Sequence, residues 1–383
     1  MEFDEVYQND VLAIIDLLER SYNIPINKTI TRTLFNDIQD SFTAAQKVNC
    51  SKLRRVTERE YRRVPNGTYF PQQLHNKAFN SNIIQLMCKC KIMNRDVEIR
   101  FGIPKKSDII IEKLAESVQH IIAILHLCGK YSKQHCSKIL HIIIILLDEP
   151  KQLPNSATST IGVYNVNSGF SNICQIENEI VVYRAEEWFK VFIHETFHAF
   201  GLEGILSFDY SSVEVRKLFS VNSTMSLGEA YVEAWARILN ASFASFLKSD
   251  NYNEFSDMLN FSLMIDCKFS AMQVEKVLGF MGLDYKTIYR SGNQTARLMY
   301  KENTNVFSYY ILASILICNS NAFLKWCSQN NSSWMKFGDS DTDIEKFTNF
   351  ITNIYKNSNT IESFINSKQL ISNPGLRMSI IDV

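Results

Sequence analysis

The sequence carries no net charge, because 40 lysines and arginines are balanced by 40 aspartates and glutamates. A chain without a strong overall field has no general attraction to nucleic acid or to an anionic membrane surface. We therefore expect neither as a partner. A cluster of arginines within 54–63 is interleaved with Glu58 and Glu60, which favours a solvated helix face. A phosphate-binding or partner-docking surface is the alternative for this cluster.

Long hydrophobic runs are also missing. The longest, ILHIIIILL at 139–147, contains a histidine and is too short to cross a bilayer, so it predicts a buried strand. The first residues, MEFDEVYQND, are acidic and polar, whereas a signal peptide begins with basic residues followed by an apolar run. We expect a cytoplasmic protein without a signal peptide or a membrane span.

Closely spaced cysteine pairs are scarce. The chain has nine cysteines, and the one close pair is CKC at 88–90. Because no second pair follows, a cysteine-based metal site is not favoured. The interpretation we adopt is a set of reduced thiols in the core of a cytosolic protein.

The periodicity of apolar residues divides the chain into a mixed part and a helical part. We predict an N-terminal helical region at 1–66, an α/β lobe at 67–205 and a helical lobe at 206–383, which together make an α+β fold. Strands are expected at 86–104 (a hairpin), 138–150, 160–172 and 178–185. Helices are expected at 11–22, 33–48, 52–64, 109–130, 186–200, 226–248, 253–265, 270–281, 305–317, 320–329, 341–356 and 359–368.

Histidine is rare, with seven in the chain, yet two of them share one short motif. His194 and His198 are four residues apart in EEWFKVFIHETFHAFGLEG at 186–204, so on a helix they lie on the same face. Both imidazoles can bind one zinc ion, while Glu195 can reach a water that the ion activates. This is the H-E-x-x-H arrangement of metallopeptidases. Two hydrogen-bonded histidines in a buried helix are the structural alternative.

A catalytic zinc also needs a third protein ligand and one open position. No histidine follows at the spacing of the extended H-E-x-x-H-x-x-G-x-x-H motif, because position 204 is Gly204. The segment SLGEAYVEAWARIL at 226–239 offers Glu229 and Glu233, four residues apart on one helix face. One of these carboxylates can bind the metal and the other can orient a ligand histidine. Two surface carboxylates on an amphipathic helix are the alternative.

H-E-x-x-H followed by a glutamate on a second helix resembles the gluzincin metallopeptidases, the clan of thermolysin and anthrax lethal factor. The form EAYVEAW at 229–235 looks especially like the lethal-factor type. The resemblance spans 180–240 and implies a zincin-like fold. It also implies zinc ligands His194, His198 and Glu229, a general base, Glu195, and a supporting carboxylate, Glu233.

The segment EEWFKVFIHE at 186–195 is also similar to segments of proteins from large DNA viruses. If the chain is viral, this similarity places it in the host cytoplasm or in the virion.

The chain differs from these families in the residue that would stabilise the oxyanion of the tetrahedral intermediate. Lethal-factor-like enzymes have a tyrosine shortly before the ligand glutamate, whereas the nearest here is Tyr210, and no histidine follows His198 to serve as in thermolysin. Tyr309 or Tyr310, on the helix expected at 305–317, is the candidate hydrogen-bond donor in its place. Core tyrosines are the alternative for this pair. Arg290 and Arg297 are further donors that the sequence does not rank.

The sequence therefore predicts a zinc-dependent peptidase that acts on a peptide or protein substrate through a metal-activated water. Segment 163–172 is expected to supply an edge strand that pairs with extended substrate, and a plain hairpin or loop is the alternative there. A second hypothesis is a non-catalytic zincin-fold binding protein or a structural protein of a virion. A third is a nucleic-acid-associated protein that uses the arginines of 54–63, against which the neutral overall charge argues.

Overall fold

The computed structural model describes residues 14, 26–65, 67–105, 111–290, 292–357, 360–361, 364 and 373–383. The helices expected at 11–22 and 359–368 lie almost wholly outside these residues. Chain contacts divide the molecule into two compact units. We call them the sheet unit, which comprises the described residues of 36–150 and 167–202, and the helical unit, which comprises those of 1–35, 151–166 and 203–383.

Six strands and thirteen α-helices make up the regular structure of the described residues. The strands are β1 (Arg54–Arg55), β2 (Ile83–Ile92), β3 (Arg95–Pro104), β4 (Ile139–Ile145), β5 (Gly169–Ser171) and β6 (Glu177–Val182). The helices are α1 (Lys28–Ala45), α2 (Gln72–Ala78), α3 (Ile111–Gly129), α4 (Val163–Val166), α5 (Trp188–Ala199), α6 (Val213–Arg216), α7 (Leu227–Leu247), α8 (Tyr252–Phe280), α9 (Tyr285–Ile288), α10 (Gln294–Met299), α11 (Ala313–Cys318), α12 (Ser320–Asn330) and α13 (Asp341–Ile354). The expected α+β class is confirmed.

The sheet unit is built on one mixed sheet with the strand order β1-β2-β3-β4-β6-β5. β2 and β3 form the predicted hairpin, whereas β3, β4 and β6 run parallel. α3 connects β3 to β4, as parallel neighbours require a crossover connection. The predicted strand at 138–150 is β4, and four successive isoleucines, Ile142 to Ile145, are fully buried in it. A strand covered on both faces reads as a continuous apolar run.

The helical unit has its core around α7, α8 and α11, which pack against one another. A buried ion pair joins Arg237 on α7 to Asp266 on α8 at 2.8 Å. The second oxygen of Asp266 accepts a hydrogen bond from the Ser379 hydroxyl at 2.9 Å. The segment 373–383 therefore belongs to the interior of this unit, where Leu376 and Ile380 are fully buried.

Three secondary-structure predictions were wrong. Segment 52–64 forms β1 and a 3-10 turn, Glu58–Glu60, instead of a helix, because its backbone pairs with β2 at Arg54 and Arg55. Segment 160–172 contains the short α4 before β5, so only three of its residues form strand. The two helices expected within 253–281 are one continuous helix, α8.

The interpretation of the cysteines as a fully reduced set was also wrong. Disulfides join Cys136 to Cys174 in the sheet unit and Cys267 to Cys318 in the helical unit. The spacing of the cysteines did not indicate them, since the partners lie 38 and 51 residues apart and spacing alone does not assign pairs.

Among the described helices, none is by itself long and apolar enough to cross a membrane. The segments Phe307–Cys318 and Ser320–Asn330 meet that criterion only when taken together, and a 90° bend separates them.

Candidate metal centre

The histidine motif lies on α5, a helix that is buried on nearly every side. Eleven of its twelve residues are buried, which is the pattern of a helix inside a core. It packs on β6, β5 and α3. The helix begins two residues later than predicted, because Glu187 precedes it in the left-handed conformation with φ of 55°.

The end of α5 agrees with the predicted stop at Gly201. The Gly201 N–H donates to the His198 carbonyl at 2.9 Å and the Leu202 N–H donates to the Phe197 carbonyl at 3.0 Å. Gly201 has φ of 63°, so the pair of bonds forms a Schellman motif with glycine in the left-handed position. This termination fixes the last turn of the helix, which carries His198.

His194 and His198 face each other as the spacing predicted. Their Nε2 atoms are 3.2 Å apart and the ring centroids are 4.9 Å apart. The two residues are 6% and 9% exposed. Two imidazole nitrogens are thus held side by side in a largely buried position.

Glu195 lies against β5, one of the strands that α5 covers. The Ser171 hydroxyl is 2.8 Å from the Glu195 carboxylate and 3.0 Å from the Glu195 carbonyl oxygen. On the other side, a Cβ added to Gly169 would lie 3.1 Å from Glu195 Oε1 and 2.8 Å from the Val181 carbonyl oxygen. A larger residue at position 169 would therefore displace β5 or the carboxylate, so Gly169 and Ser171 together set the orientation of Glu195.

The loop before β6 supports the last turn of α5. The Cys174 N–H donates to the His198 carbonyl at 3.2 Å, and the Ser137 hydroxyl donates to the Ala199 carbonyl at 2.7 Å. The Cys136–Cys174 disulfide joins the two segments that make these contacts. The carbonyl groups at the end of the helix, which lack intrahelical partners, are satisfied in this way.

Glu229 and Glu233 lie on α7 of the helical unit, in the helix that the sequence predicted. The Ser226 hydroxyl accepts a hydrogen bond from the Glu229 N–H at 3.3 Å and so caps the helix at its first turn. The Asn305 amide donates to Glu229 Oε1 at 3.4 Å. Glu229 is half-buried and Glu233 is buried.

Tyr309 and Tyr310 lie on a π-helical turn, Phe307–Leu312, which continues into α11. The Tyr310 hydroxyl donates to the Leu376 carbonyl at 2.5 Å and is 1% exposed, whereas Tyr309 is 8% exposed. The π-helical turn is a rare geometry that is frequent at functional sites. The other two candidate donors, Arg290 and Arg297, are exposed.

A half-buried glutamate, Glu302, precedes this π-helical turn. It accepts hydrogen bonds from the Phe307 N–H at 2.8 Å and the Tyr300 hydroxyl at 3.3 Å, and the Ser223 hydroxyl also contacts it. Desolvation by burial raises the pKa of Glu302 to about 7.

The sequence did not point to three of the residues that hold the candidate groups. Ser171 fixes Glu195, Asn305 contacts Glu229, and Glu302 precedes the turn that carries the tyrosines. Ser171 lies within the segment 163–172 that was predicted as a substrate edge, and β5 is indeed the last strand in the sheet order. Nothing in the sequence distinguishes Asn305 from its neighbours.

Comparisons of the chain with family models, curated proteins and solved structures gave no match.

Proposed function

We propose that the chain is a zinc-dependent metallopeptidase of the gluzincin type, with His194, His198 and Glu229 as the metal ligands. The observation that carries the proposal is the separation of 3.2 Å between the Nε2 atoms of His194 and His198, beside a carboxylate that Ser171 orients.

The donor geometry fits zinc. Zinc binds imidazole nitrogens at about 2.0–2.1 Å in tetrahedral sites, so two such nitrogens lie about 3.3–3.4 Å apart. The observed separation of 3.2 Å is close to that value. A hydrogen bond between the two rings fits the same distance, and metal analysis distinguishes the two cases.

When bound, the zinc ion would lower the pKa of a water molecule and polarise the carbonyl group of a peptide. Glu195 would take a proton from the attacking water and pass it to the leaving amine. The hydrogen bond from Ser171 holds one oxygen of this carboxylate at 2.8 Å and limits its rotation. Ser171 is therefore a positioning residue for the general base.

The helical unit would supply the other groups. Glu229 would complete the ligand set, with Asn305 restricting its carboxylate through the 3.4 Å hydrogen bond. Glu233, four residues further along α7, would accept a hydrogen bond from the outer nitrogen of a ligand histidine and set the direction of the ring. In this proposal the first motif supplies two ligands and the general base, and the second motif supplies the third ligand and a supporting carboxylate.

The substrate would be an extended peptide that pairs with β5. Strand addition supplies main-chain hydrogen bonds and requires an edge strand, and among the described strands β5 pairs only with β6. Since Glu195 lies against the same strand through Ser171, a peptide bound there would run close to the general base.

The first test compares metal content and peptide hydrolysis in three variants of the full chain. Glu195→Gln should retain zinc and lose hydrolysis by a factor of about 100 or more, because the amide does not accept the proton. Glu229→Ala should lose zinc as well as activity. Glu214→Ala is the matched control, since it removes an exposed glutamate whose carboxylate forms an ion pair with Lys217.

Full turnover in Glu195→Gln would contradict the role of general base. Unchanged zinc content in Glu229→Ala would move the third ligand to another residue, with Glu233 tested next. Wild-type protein that binds zinc but hydrolyses no peptide from a diverse library would favour the non-catalytic binding or structural alternative.

A further inference from the structure

Three free cysteines come together at the β1 edge of the sheet, on the side of the sheet order opposite to β5. Cys88 and Cys90 alternate with exposed Lys89 on β2, so both thiols are on the same face of the strand. Both are buried, whereas Cys50 is half-buried and lies four residues before β1.

Backbone pairing brings Cys50 to that face. The Ser51 N–H donates to the Lys89 carbonyl at 2.8 Å, and the Lys89 N–H donates to the Ser51 hydroxyl at 2.8 Å. Ser51 is thus opposite the residue that separates the two β2 cysteines, and its neighbour Cys50 faces them. The backbone pairing thus gathers Cys50, Cys88 and Cys90 into one cluster at this edge of the sheet.

The arrangement makes the three sulfurs chemically unequal. Two S–H donors stabilise a thiolate on Cys50, which lowers the pKa of the Cys50 thiol. The same hydrogen bonds, together with burial, raise the pKa of the Cys88 and Cys90 thiols. A half-buried thiolate next to protonated thiols is the arrangement of redox-sensitive cysteines.

We propose that Cys50, Cys88 and Cys90 form a peroxide-reactive thiol site, in which Cys50 reacts first and Cys88 or Cys90 completes a disulfide with it. This site stands apart from the proposed metallopeptidase activity and does not depend on it.

The chemistry balances with hydrogen peroxide as the oxidant. The Cys50 thiolate attacks one peroxide oxygen, so that an S–O bond forms, the O–O bond breaks and hydroxide leaves; Cys50 becomes a sulfenic acid. The sulfur of Cys88 or Cys90 then attacks Cys50, an S–S bond forms, and the sulfenic oxygen leaves as water with the thiol proton. The two sulfurs together lose the two electrons that the peroxide gains.

The geometry favours disulfide formation over a metal site made of the three sulfurs. Among the described residues, the groups whose ligand atoms all lie within 4.8 Å of one another do not include these three cysteines. The three sulfurs therefore do not all lie within 4.8 Å of one another. Cys50, with Cys88 and Cys90 as alternative partners, is suited to forming a disulfide with either of them.

The test treats the full-length protein with an equimolar amount of hydrogen peroxide and maps disulfides by mass spectrometry without reduction. We expect new Cys50–Cys88 and Cys50–Cys90 links, with the fully buried thiol of Cys128 unmodified as an internal control. Cys50→Ser should abolish both links, whereas Cys88→Ser and Cys90→Ser should each leave the other link.

A second measurement keeps the proposal testable if the disulfide forms slowly. In Cys88→Ala/Cys90→Ala both donors are absent, so alkylation of Cys50 by iodoacetamide at neutral pH should slow by about tenfold or more. Cys88→Ser/Cys90→Ser retains hydroxyl donors and should react faster than the alanine pair. Equal alkylation rates in the wild type and the alanine pair, or peroxide links that do not include Cys50, would overturn the proposal. Zinc content and peptide hydrolysis are measured in parallel, so that failure of the metallopeptidase proposal is recorded separately.

Discussion

Single residues show where the sequence was informative and where it was not. His194 and His198 were identifiable because helical periodicity alone puts positions four apart on one face. Ser171 was not, since its bond to Glu195 depends on how β5 lies against α5, and the two residues are 24 positions apart in sequence. The roles of Glu229 and Glu233 stay predictions, as does the zinc ion itself.

Glu302 gives a prediction on pH. Its folded pKa of about 7 is above the ordinary value of 4.5, so the folded chain binds this proton more tightly than the unfolded chain. The free energy of unfolding therefore falls as pH rises from about 4.5 through about 7, by about 3 kcal/mol for this group. Glu302→Gln, which does not titrate, should lose less stability over that interval.

Urea unfolding of the wild type and Glu302→Gln at a series of pH values between about 4.5 and 8 measures the difference. All other titrating groups cancel in the comparison. Parallel curves for the two proteins would show that Glu302 keeps an ordinary pKa in the folded chain.

Whole elements were predicted well where they are long and periodic. α7 lies within one residue of its predicted ends, and β4 and the β2–β3 hairpin are present. Segment 52–64 failed because strand pairing at Arg54 and Arg55 outweighed helix propensity in a stretch rich in arginine and glutamate. The ion pair of Arg54 with Glu60, at 2.6 Å, joins β1 to the 3-10 turn instead of lying along a helix.

The π-helical turn distinguishes the two candidate tyrosines. The Tyr310 hydroxyl is engaged with the Leu376 carbonyl in the core, so Tyr310→Phe should cost about 1 kcal/mol of stability and leave hydrolysis nearly intact. Tyr309 is the better candidate for the oxyanion donor, and Tyr309→Phe should lower kcat by a factor of about 100 to 1,000.

Both variants should retain the zinc content of the wild type, which separates a catalytic defect from a loss of metal. Steady-state kinetics and thermal unfolding on the same preparations provide the readouts. A larger loss of kcat in Tyr310→Phe than in Tyr309→Phe would reverse the assignment.

At the scale of the whole molecule, composition and periodicity predicted an α+β chain with the mixed part before the helical part. They did not predict that segment 151–166 belongs with the helices, because that assignment depends on pairing with residues far along the chain, such as Leu153 with Pro374. The three-part division at 66 and 205 and the location in the cytoplasm or a virion stay predictions.

The disulfides offer a matched pair of variants, one in each unit. Replacing either pair with serine should lower the free energy of unfolding by about 2–4 kcal/mol, since the closed loops are of similar length. Only Cys136→Ser/Cys174→Ser should also weaken zinc binding. The disulfide restrains Cys174, whose N–H donates a hydrogen bond to the His198 carbonyl at 3.2 Å.

Denaturant unfolding and zinc titration at a temperature where both variants are folded check this expectation. Cys267→Ser/Cys318→Ser is the control for stability loss without a change at α5. Equal zinc affinity in both variants would show that the link at Cys136 does not position His198.

The burial of segment 373–383 has a consequence for how the chain is made. The residues of the sheet unit are all synthesised by position 202, so that unit can form while the rest of the chain is still on the ribosome. The helical unit must wait for Leu376, Ser379 and Ile380 to emerge before its interior is filled. If Glu229 is a metal ligand, its helix would reach its final packing only after these residues have joined the interior, so the metal centre would be completed late in folding.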